Sequence, residues 1–483
     1  MTAQQTHVDS PSGAGSEGRA VVAALLVAAC GASLAQTVVV AALPSLQSDL
    51  GTSSTGVAWV LTSFMLASAI SVPIAGRLGD ARGYRRVLVG CLSSFAVGAL
   101  VAALGTHLGS LGVLVTGRVL QGVAGGVFPL AMGIVRTSVP PARIPRVVAV
   151  LSAMFGVGGA AGMVIAGPLV EAFGTESLSW LTLALAIVAL AGIRFLPAGK
   201  GASGGRIDLV GAVILSGALV CLLLAISEGN TWGWESAGIL SLFVGAAVLL
   251  AAFAVVELRS ADPLIDLRLL KVRAFAAANL IAFIIGAAMF GSITLIPRFV
   301  ETPEAGGYGF TLSAAGAGLV MLPVGVFTLI ASPLSGRLTE RFGPRVPMCA
   351  GAGCAAVAFA WLAVAHGSVW DFCLTGVLVG TGYGLAFAAL GNLVVASVEP
   401  RHTGVAVGVN TIVRTVGGAL GAQIASALLA ASPSPRIPAL PDVAGYTHGF
   451  ILFALVAVAA LVATLAMPRR GAAPASEAEP ARS

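Results

Sequence analysis

The sequence predicts an all-α integral membrane protein, and three observations predict it. Of its 483 residues, 57% are hydrophobic and only 10% are charged, against roughly 25% charged in ordinary soluble domains. Fourteen stretches are apolar enough to cross a bilayer, which takes roughly 20 residues of helix. A basic loop motif occurs twice, eight spans apart, which points to two six-helix bundles plus two extra central helices. A water-soluble fold could not hide this much apolar surface, because a globular domain needs a polar shell. The net charge of +6 and pI near 9.3 are set by where the basic residues lie, and that placement argues for membrane topology and against nucleic-acid binding.

In chain order the spans are expected at 20–43, 57–75, 87–105, 111–134, 146–169, 178–197, 208–227, 237–256, 274–297, 312–334, 346–365, 371–397, 403–431 and 447–467. Many are rich in Gly and Ala, which suits close helix packing. Strands are excluded because the runs are long and show no polar–apolar alternation. Residues 1–19 read as a disordered tail and not as a signal peptide, since thirteen further spans follow the first. The expected divisions are the tail 1–19, a first bundle 20–200, an inserted pair 201–260, a second bundle 261–468 and a disordered tail 469–483.

Basic residues set the orientation. With the N-terminus cytoplasmic, 22 of the 26 Lys and Arg residues fall inside, Arg298 and Arg436 outside, and Arg118 and Arg414 within spans. Both termini are therefore expected in the cytoplasm, and the chain in the cell (inner or plasma) membrane. The six cysteines lack metal-ligand spacing and read as small apolar side chains. The five His residues fall in loops or tails, and no phosphate-binding loop is present. Neither a metal nor a cofactor is expected, nor enzymatic activity.

The duplicated motif carries the most information. The loop after span 2 runs from Gly76-Arg77-Leu78 through Asp80 and Arg82 to Gly83, Arg85 and Arg86. The loop after span 10 runs from Gly336-Arg337-Leu338 through Glu340 to Gly343. Each places an acid four residues after the first Gly and a second Gly at seven. Six-helix halves would separate the copies by six spans, so spans 7 and 8 read as an insertion. Two bundles with a site between them near the midplane is the plan of alternating-access transporters.

Gly76 to Arg86 resembles the loop signature of the major facilitator superfamily. Arg118, Gln121 and Gly122 resemble its span 4 signature, and Gly167-Pro168 its span 5 step. With fourteen spans, and with the segments Leu34–Pro44, Asp262–Phe275 and Gly404–Gly421, the chain is similar to the drug:proton antiporter branch. The resemblance implies a secondary transporter that exports a small hydrophobic or amphipathic molecule in exchange for protons. It also implies that Asp80 and Arg82 latch the outward-facing state, with Glu340 as a weaker counterpart. The branch usually carries an Asp early in the Leu34–Pro44 motif, where this chain has Leu34-Ala35-Gln36-Thr37.

An ionised side chain within a span costs about 2.5–3.5 kcal/mol on insertion scales, so each is a functional candidate. No Asp or Glu falls in the central part of any span. Arg118 is expected at the depth of Gln36, with Gln121, Gly122 and Gly125 on its face and Glu171 the nearest-depth carboxylate. Either it lines the cavity and changes partner during transport, or it ties spans together through Gln36 and backbone carbonyls. Arg414 lies near the midplane, with Asn410 one turn before it and Gly417, Gly418 and Gly421 after it. It either binds an anionic substrate or ties helices. The amides Asn279, Asn392 and Gln423 fit inter-helix hydrogen bonds better than substrate contacts. Glu171 is the expected proton-coupling carboxylate. Gly158, Gly162 and Ala166 form a small-residue stripe, and Pro168 can bend span 5.

Two alternatives to drug export stay open. One is transport of an anionic metabolite by Arg118 and Arg414. The other is a non-transporting membrane sensor or scaffold, motivated by the absent span 1 acid. The expected partners are a small-molecule substrate, protons and lipid, with a monomer assumed.

Overall fold

The computed structural model describes residues 14–193, 208–260, 263–399, 402–435, 437 and 440–467. Most of the two tails, the basic segment 194–207 and Arg436 lie outside the described residues. The first half comprises α1 (Ala14–Asp49), α2 (Ser54–Arg82), α3 (Tyr84–His107), α4 (Leu111–Gly122), α5 (Val127–Ser138), α6 (Ile144–Phe173) and α7 (Glu176–Ile193). The inserted pair is α8 (Leu209–Trp232) and α9 (Ala237–Arg259). The second half comprises α10 (Arg273–Glu301), α11 (Ala314–Phe342), α12 (Arg345–Val364), α13 (Val369–Ala396), α14 (Thr403–Ala430) and α15 (Val443–Leu465). Fourteen helical stretches are long and apolar enough to cross a membrane. The fourth is α4 and α5 joined by a 3-10 turn at Val123–Gly126.

The helices that carry Asp80, Glu257 and Glu340 outrun their apolar limits. α2 continues to Arg82, α9 to Arg259 and α11 to Phe342, so these acids sit on helices and not in loops. The repeated Gly at seven has a conformational cause. Gly83 (φ 96°) is the single residue between α2 and α3, and Gly343 (φ 81°) closes α11. Side-chain-bearing residues rarely adopt that φ, so the sharp reversal takes glycine twice.

The packing repeats with the sequence. In the first half α1 packs on α6 and α7, and α3 on α4 and α7. In the second half α10 packs on α14 and α15, and α12 on α13 and α15, which are the duplicated counterparts. The halves meet at two equivalent seams, α2 against α14 and α11 against α6. Small residues permit the closest approaches, as expected for helices that gain nothing from excluding lipid. A side chain at Gly158 would collide with the Cys30 carbonyl, and one at Gly162 with that of Leu34. The stripe on span 5 is therefore the bed of α1. Helix α8 packs on α9 and lies against both α2 and α14. The insertion thus covers one seam and not its equivalent.

Candidate functional site

The end of the bundle that carries both loop motifs, here the basic face, holds a group of contacts between halves. α14 begins without a side-chain cap of its own, and such a helix end leaves amide N–H groups unsatisfied. Asp80, reached from the last turns of α2, supplies the missing acceptors. Its Oδ1 accepts from the Gly404 amide and its Oδ2 from the Val405 amide, each at 3.1 Å. The Tyr84 hydroxyl also donates to Asp80 Oδ1. The carboxylate is 5% exposed, and the positive end of the α14 dipole favours its charge. Backbone contact makes this possible: a Cβ on Gly76 would lie 2.5 Å from the Gly404 carbonyl oxygen.

The second copy meets the other half differently. Glu340 Oε2 pairs with Arg146 Nη2 at 3.0 Å, in an exposed ion pair at the start of α6. A Cβ on Gly336 would lie 3.3 Å from the Arg146 Cα and from the Pro145 carbonyl oxygen. Arg82 and Arg86 are exposed and Arg85 half-buried, and none bonds across the seam among the described residues. In this arrangement the contact between halves belongs to Asp80 and not to Arg82.

Two further side chains close the basic face. Arg136, in the last turn of α5, donates to the Val395 carbonyl, to Val398 O at 2.7 Å and to Thr403 Oγ1 at 3.0 Å. Asn392 donates to Pro145 O at 3.2 Å. Asn392 thus makes its inter-helix bond across the halves. Arg136 looked like one more topology residue, and no local signal separates it from its basic neighbours.

Deep in the first half, Arg118 is 2% exposed. Its Nε donates to Val60 O at 3.0 Å, and its Nη1 to Ala35 O at 3.1 Å and Gln121 Oε1 at 2.6 Å. Gln121 continues the chain to Thr182 Oγ1 at 3.3 Å. The guanidinium lies 4.4 Å from the centre of the Phe64 ring. These bonds join α4 to α1 and α2, while Nη2 is buried without a hydrogen-bond partner. The bonds are to backbone carbonyls and to Gln121, and Gln36 stays half-buried while its neighbour's carbonyl takes a bond. A cavity of about 10 Å³ lies beside Arg118 and Gln121, room for about one water molecule.

Arg414 is placed differently. It is half-buried, 5.2 Å from the Phe387 ring centre in its own half and 5.8 Å from that of Phe128 in the other. It is the intramembrane cation that faces the junction of the halves. Its glycine face accepts a helix: side chains at Gly417 and Gly421 would strike the backbone of α10 at Phe283 and Ala287. Asn410 Nδ2 reaches Asn279 Oδ1 at 3.3 Å on α10, and Gln423 Nε2 reaches Ser227 O at 3.1 Å on α8. These amides join helices in this structure.

Glu171 lies exposed in the last turn of α6, with no bond to Arg118. The carboxylates that are buried among the described residues are Asp80, Glu228 and Glu257. Asp371 completes the capping box that starts α13. The α6 helix runs through Pro168, which is exposed, and Gly167 faces Ala315 of α11 at the far end of the seam. No group of three or more His, Cys, Asp or Glu suited to a metal occurs among the described residues.

The model of the Major Facilitator Superfamily matches residues 25–422 and 280–482. The chain belongs to this superfamily. Among its relatives, the tetracenomycin C resistance and export protein of Streptomyces glaucescens is 28% identical over 447 residues, 90% of this chain and 81% of that protein. The multidrug transporter protein MdtP of Bacillus subtilis is 28% identical, covering 87% and 77% of the two chains. An MFS-type transporter of Mycobacterium tuberculosis is 33% identical over 422 residues, and the match spans 58% of its length. In fold, the human organic anion transporter MFSD10 superposes with a TM-score of 0.64 at 17% identity, covering 92% of this chain and 99% of that one. As a major facilitator, the protein is a multi-pass membrane transporter built from two six-helix bundles and an inserted pair.

Proposed function

We propose that this transporter exports a small hydrophobic or amphipathic compound, such as an antibiotic, drug or secondary metabolite, by proton-coupled alternating access. The observation that carries the reading is the Asp80 contact. One buried carboxylate caps the start of a helix in the opposite half, and such a contact can break and reform as two rigid bundles rock. The relatives named for resistance and export support the direction of transport. With both termini in the cytoplasm, the basic face is the cytoplasmic face, and the Asp80 contact is the latch that holds the halves together there.

One observation favours a second reading, transport of an organic anion. Arg414 stands between an aromatic ring of each half, and no Asp or Glu lies in the central part of any span. An anion would be attracted to such a site, whereas a lipophilic cation would have to be bound without a counter-charge there.

The test is flux in liposomes holding the purified protein, with internal pH recorded while lipophilic cations and organic anions are supplied in turn. Cation-dependent proton movement is expected from a drug:proton antiporter, and a response to anions alone would select the second reading. Substrate flux without proton movement would refute proton coupling. Coupling variants belong first at Asp80, Glu228 and Glu257, with exposed Glu171→Gln as the comparison.

A further inference from the structure

The inserted pair ends in a buried charged residue whose contact with the seam the transport reading does not explain. Glu257, in the last turn of α9, is 4% exposed. A buried carboxylate is costly unless something uses its charge. Its Oε2 accepts from the Ile265 amide at 3.2 Å, while Oε1 is buried without a hydrogen-bond partner. Space for Oε1 is kept by Gly211 in the first turn of α8, where a Cβ would lie 2.5 Å away. The segment it holds is pressed into the seam: Leu264 and Ile265 are buried in one cluster with Val72 of α2 and Val405 and Ile412 of α14.

Across a polar pocket of about 260 Å³ from Glu257 lies Arg77. Its Nε is likewise buried and unpartnered. The same pocket is lined by Asp266, Arg268 and His402, and His402 immediately precedes α14. No direct ion pair or hydrogen bond joins Arg77 to Glu257. The pocket has room for several waters at about 30 Å³ each. Arg77 also stands three residues before Asp80, close enough along a helix for the two side chains to meet. A guanidinium that turned to Asp80 would compete with the α14 amides for the same oxygens.

We propose that Glu257 is a positioning residue of the latch: across the pocket it draws the charge of Arg77 away from Asp80 and leaves that carboxylate to α14. The inserted pair is then a brace that sets the strength of the seam it covers. This rests on the latch reading of Asp80.

The test uses the full-length chain in liposomes, its native cysteines replaced, with Arg146→Cys and Glu340→Cys as a cross-linking reporter on the other seam. Asp80→Asn must slow cross-linking; if it does not, the latch reading itself fails. Given that control, Glu257→Gln keeps an oxygen for the Ile265 amide and is expected to slow cross-linking about fivefold, within the range of coupling between neighbouring charges. Glu257→Asp is expected to recover most of the rate. In an Arg77→Gln background the added Glu257→Gln should change it less than about twofold. Equal slowing in both backgrounds would make Glu257 a structural residue, and no slowing with Glu257→Gln would reduce its role to holding Ile265. Either outcome overturns the proposal.

Discussion

At the α2–α14 seam, Asp80 gives both carboxylate oxygens to main-chain amides of the opposite half, buried beneath an inserted helix. At the equivalent α11–α6 seam, Glu340 meets the side chain of Arg146 in an exposed pair. The two loops share one pattern, yet only the first sets its acid against backbone amides. A charged hydrogen bond to a buried partner contributes about 1.5–3 kcal/mol, whereas an exposed ion pair contributes about 0–1 kcal/mol. The difference teaches that duplication preserved where the helices turn and pack, while the energy of the contact between halves moved to one copy. The Asp80 seam, where Arg136 also bonds Val395, Val398 and Thr403 of the other half, is then the side at which closure is mainly set.

Variants of the two loops can break this comparison. The largest effect is expected from Asp80→Asn, which removes the charge at α14. Turnover in liposomes should fall at least about tenfold, the equivalent of about 1.4 kcal/mol, while membrane insertion is retained. Wild-type turnover would refute the latch. Next is steric: Gly76→Ala forces a methyl group onto the Gly404 carbonyl, and overpacking costs about 1–3 kcal/mol. Gly336→Ala meets its neighbours at 3.3 Å and should be milder. Equal losses of transport from the two would show the seams to be equally tight. The smallest effect is expected from Glu340→Gln, less than about twofold in turnover. A loss matching that of Asp80→Asn would make the second copy an equal partner.

The two intramembrane arginines extend the contrast inside the membrane. Arg118 is enclosed by bonds within its own half, so Arg118→Lys should lower the thermal stability of the purified protein. It loses the forked geometry that lets one side chain reach Val60, Ala35 and Gln121 together. Arg414 faces the other half, so Arg414→Gln should alter inhibition by organic anions more than it alters stability. The opposite assignment, measured by melting and by inhibition of flux, would exchange the two roles.

Much of the protein was legible from residue order. Fourteen apolar stretches, the glycines at 83 and 343, the repeated acid, and the insertion between halves are local or periodic properties of the chain, and the fold carries each of them. α2, α9 and α11 run past their apolar stretches because hydropathy ends where charge begins, although helical hydrogen bonding does not. What the sequence alone could not determine was the partner of each polar group. Asp80 finds its amides 324 residues away, Arg118 binds the carbonyl beside Gln36 and not Gln36 itself, and Glu171 stays at the surface while Glu257 is buried. Those outcomes depend on which helix faces lie together and how closely the backbones approach. Only tertiary packing decides that, because a side chain's type limits which bonds it can make but not which atoms come within reach.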